Sequence, residues 1–355
     1  FERDYLYINQ QDGTFKEDLV NQINSIRGAS MGADMADIDN DGYQDIFVTE
    51  MLPSDYSRLK SVTPFEGWDK YQYNVTNGYH HQFTRNVLHL NRGNSTFSEI
   101  SRLAGVEASD WSWGALFFDM DNDGYEDLFI ANGIYKDLTD QDYLQYIANE
   151  SVIQSIISDK GVNYKELIDI IPSNKVPNHA FKNLGGLSFE AYEASGLQTP
   201  SFSNGSAYGD LDNDGDLDLV VNKVSMPCFV YENQGAGGNY LKFHLRGEGQ
   251  NTFAIGSKVE IRAGDQTWRV ENQPTRGFQS SVDPAVVVGI GKAAQAEVTI
   301  IWPDGKVTQL GTVEANQTLT VASSSGQAVA SMASENTASG KVFEPVVSPI
   351  DYTHE

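Results

Sequence analysis

Cysteine is almost missing from this sequence: Cys228 stands alone, so no disulfide can form within the chain and bridges say nothing about its compartment. Basic residues are scarce too, 24 against 49 acids. The formal net charge of -25, with no basic patch to offset it, argues against nucleic acid or an anionic membrane surface as partner. No apolar run reaches the ~18 residues needed to span a bilayer, and no cleavable leader is visible. Phe1 is not an initiator and leads directly into strand-like Tyr5-Leu6-Tyr7-Ile8. The expectation is a processed or excised chain that is secreted or held at the cell surface.

Rings and glycine, by contrast, are plentiful: 17 Tyr, 17 Phe and 32 Gly. That mixture favours short strands and tight turns over long helices, and the predicted fold class is all-β with helical insertions. The acids are not spread evenly. Twelve of them fall at the repeating positions of three loops: Asp37-Ile-Asp39-Asn40-Asp41-Gly42-Tyr43-Gln-Asp45, Asp119-Met-Asp121-Asn122-Asp123-Gly124-Tyr125-Glu-Asp127 and Asp210-Leu-Asp212-Asn213-Asp214-Gly215-Asp216-Leu-Asp218.

The register reaches beyond the loops. A serine (Ser30, Ser112, Ser203) and a glycine (Gly32, Gly114, Gly205) precede each loop at fixed distances, and an apolar strand follows it. Further upstream, Asn9, Asn91 and Asn183 each stand six residues before Phe15, Phe97 and Phe189. Each unit therefore reads as strand, turn, strand, acidic loop, strand, a meander that must stack on neighbours to bury both faces.

These boundaries divide the chain. Residues 1–238 hold units at about 5–50, 86–132 and 179–233, interrupted by a ring-rich insert at 51–85 and a second at 133–178 in which 140–157 has a helical period and 164–171 reads as a second short helix. Residues 239–322 alternate as strands of a separate small sandwich or barrel, 323–340 read as a flexible linker, and 341–355 as an extended tail able to donate a strand.

In a nine-residue Asp-x-Asp-x-Asp-Gly-x-x-Asp loop, oxygens at the first, third and fifth positions converge, glycine allows the sharp turn, the seventh residue offers its carbonyl and the ninth a carboxylate. All are hard oxygens, which suits Ca²⁺ and argues against zinc or copper. The predicted metal residues are accordingly the four acids of each loop together with Tyr43, Tyr125 and Asp216, for about three calcium ions. Three such ions would move the formal charge from -25 to -19.

Other motifs have plainer readings. Gly28-Ala-Ser30-Met-Gly32 matches a nucleophile elbow, but Ser112 and Ser203 occupy the same register without the first glycine, so Ser30 reads as a strand serine. His80 and His81 lack spaced ligand partners and read as insert histidines. Arg276 reads as an internal turn contact.

With these residues in view, the repeat resembles the FG-GAP/VCBS repeats of integrin-like β-propellers. The stretches Gly256-Ser-Lys-Val-Glu, Pro274-Thr-Arg-Gly-Phe-Gln-Ser-Ser-Val-Asp and Ile301-Trp-Pro-Asp-Gly resemble an ASPIC/UnbV domain, of the cartilage-acidic-protein-like, Bacteroidetes-type group. The resemblance implies propeller-type blades followed by a small β domain, with calcium on the loop aspartates. A closed ring of this kind usually takes about seven blades. Degenerate blades, further sequence or another copy could complete it. The expected function is a non-enzymatic calcium-binding extracellular or surface module for adhesion, scaffolding or self-assembly, with protein partners or head-to-tail copies joined through 341–355. The alternatives are a carbohydrate-binding module whose aromatic insert holds glycans and, third, a secreted hydrolase.

Overall fold

A computed structural model describes residues 3–63, 67–156, 164–235, 237–324, 328–332 and 343–346. Five four-stranded sheets give it a propeller-like, mostly β arrangement: three are built on the acidic hairpins, and two close on each other as a C-terminal domain.

Blade one is the meander Ala33–Ala36, Asp45–Val48, Val87–Asn91 and Phe97–Glu99, and blade two is Ser112–Phe118, Asp127–Asn132, His179–Asn183 and Phe189–Ala191. In each, the acidic loop joins the first two strands, whose pairing brings Ala36 opposite Asp45 and Phe118 opposite Asp127. Why these strands read as continuous apolar runs is clear from blade two. Successive side chains of a strand point to opposite faces. Ala115 and Phe117 face the core shared with Phe47 and Leu88 of blade one, while Leu116 and Phe118 face that shared with Leu219 and Tyr231 of blade three. The contacts are close: Phe47 meets Phe117 edge-on at 6.0 Å, and Phe118 stacks on Tyr208 at 5.1 Å. A two-stranded sheet, Tyr7–Asn9 with Phe15–Glu17, precedes blade one, and Leu19, Ile23 and Ile26 pack against Leu6 and Phe97 beside it.

Blade three starts normally with Ser203–Gly209, Asp218–Lys223 and Phe229–Asn233, but its fourth strand is Phe343–Val346 from the tail. The register identifies the role of that strand. Asn233 pairs with Phe343 as Asn9 pairs with Phe15, Asn91 with Phe97 and Asn183 with Phe189. The C-terminal domain thus leaves blade three at the turn where the other blades make their last hairpin, and the chain returns to finish the blade afterwards.

That domain pairs two sheets. One holds Asn239–Arg246, Val286–Gly291, Gln317–Ala322 and Ala328–Met332, and the other Lys258–Ala263, Gln266–Glu271, Gln295–Ile301 and Val307–Glu314. Phe243, Ile261, Trp268, Val298 and Trp302 fill the space between them. Residues 328–332, expected to be linker, form an edge strand on Gln317–Ala322; the rest of the expected linker from 333 onward lies outside the described residues.

The inserts carry helices. In the second they are Gln141–Ile147, Glu150–Ile156 and Tyr164–Ile170, with a break where the Asn149 side chain accepts the Ser151 N–H and caps a new helix; Ile157 lies outside the described residues. The ring-rich first insert also contains helices, Tyr56–Val62 and Trp68–Thr76, the former capped by Asp55 accepting from Arg58 N. Arg58 ties the first insert to Asp110, just ahead of the first strand of blade two, and to Asp137 of the second insert. Among the described residues no helix is long and apolar enough to cross a membrane.

Candidate metal centres

Each acidic hairpin is organised before any ion is considered. The first carboxylate of the loop accepts backbone N–H groups from its own turn: Asp37 from Asp41 and Gly42 at 2.9 and 2.8 Å, Asp119 from Asp123 and Gly124 at 3.1 and 2.8 Å, and Asp210 from Gly215 at 3.2 Å. The fifth accepts from the seventh residue, Asp41 from Tyr43, Asp123 from Tyr125 and Asp214 from Asp216. These bonds curl the chain so that side-chain oxygens gather at one point.

Ligand oxygens within 4.8 Å of one another come from Asp37, Asp39 and Asp41 in the first loop, from Asp119, Asp121 and Asp127 in the second, and from Asp210, Asp212 and Asp214 in the third. The ninth residue does something the sequence does not reveal. Asp45 accepts from Ile38 N and Asn91 N at 3.1 and 2.7 Å, Asp127 from Met120 N and Asn183 N at 3.1 and 2.7 Å, and Asp218 from Leu211 N and Asn233 N at 2.8 Å each. It therefore staples the loop to the third strand of its blade, and only Asp127 also joins the gathered oxygens. At the seventh position, Tyr43 and Tyr125 lay their rings against Gly93 and Gly185 of the same blade's last turn, where a Cβ would crowd them. Asp216 instead turns its carboxylate toward Asn122 of the second loop, at 2.6 Å.

The fit to a hard cation rests on what the protein leaves unpaired. One buried carboxylate oxygen in each loop has no hydrogen-bond partner: Asp39 Oδ1, Asp121 Oδ1 and Asp210 Oδ1. A buried, unpartnered acceptor is costly unless a cation or donor meets it. Burial, reinforced by neighbouring carboxylates, raises Asp37 to about 6 and Asp45 to about 7, and holds Asp119 and Asp127 well above the usual range. In the third loop it raises Asp214 to about 7 and Asp218 to about 6. The donor set is all oxygen, the ligand chemistry Ca²⁺ takes. Protein cations partly balance two loops. Lys182 bonds Asp121 and lies 3.2 Å from Asp123, while Lys242 of the C-terminal domain bonds Asp210 at 2.7 Å. Neither lysine is in register with the repeat, so the sequence offers no sign of them.

The remaining candidates are structural. Ser30 lies between Arg27 and Asp4, which bond its hydroxyl at 2.8 and 2.6 Å. His80 bonds the Ile23 carbonyl and His81 the Tyr71 hydroxyl. Of the rings in the aromatic insert, Tyr71 is occupied by that bond and by packing on Phe83, whereas Trp68 is 70% exposed. Arg276 departs most from expectation: rather than serving its own turn, it grips Asp34 of blade one.

Blades closed by acidic hairpins and a two-sheet domain interrupting the last of them define a β-propeller-type protein with FG-GAP repeats and an ASPIC/UnbV domain. The FG-GAP-like repeat family matches residues 1–48 and 75–130, and the ASPIC and UnbV family matches residues 247–328. Among individual proteins, the chain is similar to cartilage acidic protein 1 of Homo sapiens and of Mus musculus. Each is 24% identical over 251 residues, covering 62% of this chain and 38% of the relative. The Xenopus tropicalis protein of the same name is 23% identical over 255 residues. The chain thus spans well under half the length of these relatives.

Proposed function

We propose that the chain is a non-enzymatic, calcium-binding extracellular or surface module for adhesion, scaffolding or self-assembly. The observation that carries the metal reading is the single unpartnered, buried carboxylate oxygen found in each of the three loops, beside oxygens already gathered within bonding range of one ion. Calcium would cross-link each hairpin and relieve the repulsion among its acids; the residues' own part is to hold the oxygens in place through the backbone bonds described above. The extracellular assignment draws on the similarity to proteins named for cartilage and on calcium chemistry suited to calcium-rich fluid. Equilibrium dialysis followed by elemental analysis tests the metal reading: about three calcium ions per chain are expected, and a chain that retains none refutes it.

Assembly through the tail belongs to the same proposal. The strand Phe343–Val346 reaches blade three in cis, and the same register made with a second copy would join molecules head to tail. Sedimentation of the full chain and of one ending at residue 340 should give different oligomer distributions; identical distributions would end the idea.

Glycan binding is a second reading with its own support. Trp68 and Tyr73 are exposed, and Tyr73, Tyr79, Phe83, Asn74 and Gln82 line a recess of about 230 Å³ beside Trp68–Thr76, pairing rings with amides as sugar sites do. Polysaccharide retention lost in Trp68→Ala and Tyr73→Ala would support it, and no retention by the parent chain would remove it.

A further inference from the structure

The three loops are wired to one another. Each has asparagine at its fourth position, and Asn40, Asn122 and Asn213 all adopt left-handed backbone angles, with φ of 60°, 57° and 66°. Asparagine tolerates this pose, which frees its amide to reach away from its own turn. Asn40 Nδ2 donates to the carbonyl of Gly124 in the second loop at 3.0 Å, and Asn122 Nδ2 donates to the carbonyl of Gly215 in the third loop at 3.3 Å and to Asp216 at 2.6 Å. Asn213 completes the series by accepting from Lys242 Nζ at 3.1 Å, the same ammonium that bonds Asp210. Loop one therefore holds the glycine turn of loop two, loop two that of loop three, and loop three a lysine of the C-terminal domain.

A second set of amides runs the other way. Asn183 Nδ2 of blade two donates to the Ile38 carbonyl in loop one at 2.8 Å, and Asn233 Nδ2 of blade three donates to the Met120 carbonyl in loop two at 2.9 Å. The C-terminal domain then covers the series. A Cβ at Gly42, Gly124 or Gly215 would run into Arg269, Trp268 or Tyr240 respectively, and the Gly291 N–H donates to the Asn122 carbonyl at 3.0 Å. All three loop turns are thus in contact with one rigid domain and, through amides, with each other.

We infer that the three loops fill cooperatively and that metal occupancy locks the C-terminal domain onto the blades, with Asn40 and Asn122 as the positioning residues that transmit order from one loop to the next. An ion that fixes one hairpin fixes a carbonyl or amide of its neighbour, so the next ion meets a loop whose ordering cost has already been met in part. Lys242, buried with Asp210 at 3% and 1% side-chain exposure, already supplies a cation to loop three, so the lock is carried by the turn contacts with Trp268 and Tyr240 and by the Gly291–Asn122 bond. The inference rests on the calcium reading proposed above but can fail separately from it.

Calcium titration of the full, metal-stripped chain by calorimetry is the test, read together with hydrogen exchange over residues 238–242 and 286–291. The expected result is sigmoidal filling with a Hill coefficient above about 1 and exchange protection that rises in step with occupancy. Asn40→Gly and Asn122→Gly, which keep the left-handed backbone accessible while deleting the amide, should still bind the parent number of ions. Their Hill coefficient should fall toward about 1, and protection should lag behind occupancy. Independent filling in the parent chain, or unchanged cooperativity in both variants, overturns the inference while leaving calcium binding intact. A chain that binds no calcium overturns the calcium reading and this inference together.

Discussion

Arg276 closes its guanidinium on the carboxylate of Asp34, Nε to Oδ1 and Nη2 to Oδ2 at 2.7 Å each, and so clamps the C-terminal domain to blade one. Asp34 is buried and the Arg276 side chain nearly so, at 11% exposure; Phe117 N also donates to Asp34, and Arg276 Nη1 reaches the Tyr208 hydroxyl at 2.5 Å. Removing one partner of such a pair leaves an uncompensated charge in the interior. Arg276→Ala should therefore destabilise the chain by about 3–5 kcal/mol in urea unfolding, and Asp34→Asn combined with Arg276→Met should recover much of that loss. A small effect from the single substitution would mean that the domain contact does not depend on this pair.

Metal-free stability should fall as pH rises. Asp37 and Asp218 are raised to about 6, and Asp45 and Asp214 to about 7, chiefly by burial. The folded chain therefore holds protons that the unfolded chain releases near its ordinary aspartate range. Their contribution is complete below that range and is lost as pH climbs through about 6–7. In EDTA, Tm should decline between about pH 4 and 7. Saturating calcium should flatten or reverse that slope, because the ion requires the ionised carboxylates and releases their protons on binding. Parallel calorimetric scans with and without calcium check the sign.

Lys182 competes with metal in loop two. Its ammonium bonds Asp121 and lies 3.2 Å from Asp123, where a bound cation would repel it. Lys182→Met should tighten calcium at that loop by roughly tenfold, a free-energy change within the range expected for partly exposed charges at this separation. The same substitution should lower Tm in EDTA, since the aspartates lose their only nearby ammonium among the described residues. Calorimetric titration reads the first effect and thermal scans the second.

The tail strand should matter to stability as well as to assembly. Ending the chain at residue 340 strips Phe229–Asn233 of its outer antiparallel partner, leaves only Asp218–Lys223 beside it, and exposes a strand edge in blade three. A lower Tm with faster exchange at residues 230–233 is expected, and a synthetic peptide of residues 341–355 added back should restore protection. Unchanged exchange would place the strand elsewhere in solution.

The loops and blades were legible because a nine-residue pattern of hard-oxygen ligands repeats in register with the strands on either side. Blade three carried its own clue. Of the asparagines that end the third strands of the blades, Asn91, Asn183 and Asn233, only Asn233 lacks a phenylalanine six residues later, Asn239 standing there instead, and the missing residue appears at Phe343. The helices of the first insert carry no core-facing apolar stripe that would give them away: Tyr56–Val62 buries only Val62, and Trp68–Thr76 buries no side chain. The Asp34–Arg276 clamp and the Lys242–Asp210 pair were beyond reach for another reason. Both join partners from separate domains, and no local pattern records which buried charge will meet which. The loop asparagines lie between: their recurrence at the fourth position was visible, but their reach into the next blade depends on blade packing.

The most direct test of calcium as the staple of these hairpins is the melting temperature of the parent chain and of Asp119→Ala/Asp121→Ala, each in calcium and in EDTA. Stabilisation by a bound ligand adds to the folded state only when the ligand is present. The account predicts that the double substitution lowers Tm in calcium and scarcely changes it in EDTA. An equal loss in both conditions, or a parent chain whose Tm ignores calcium, would contradict it.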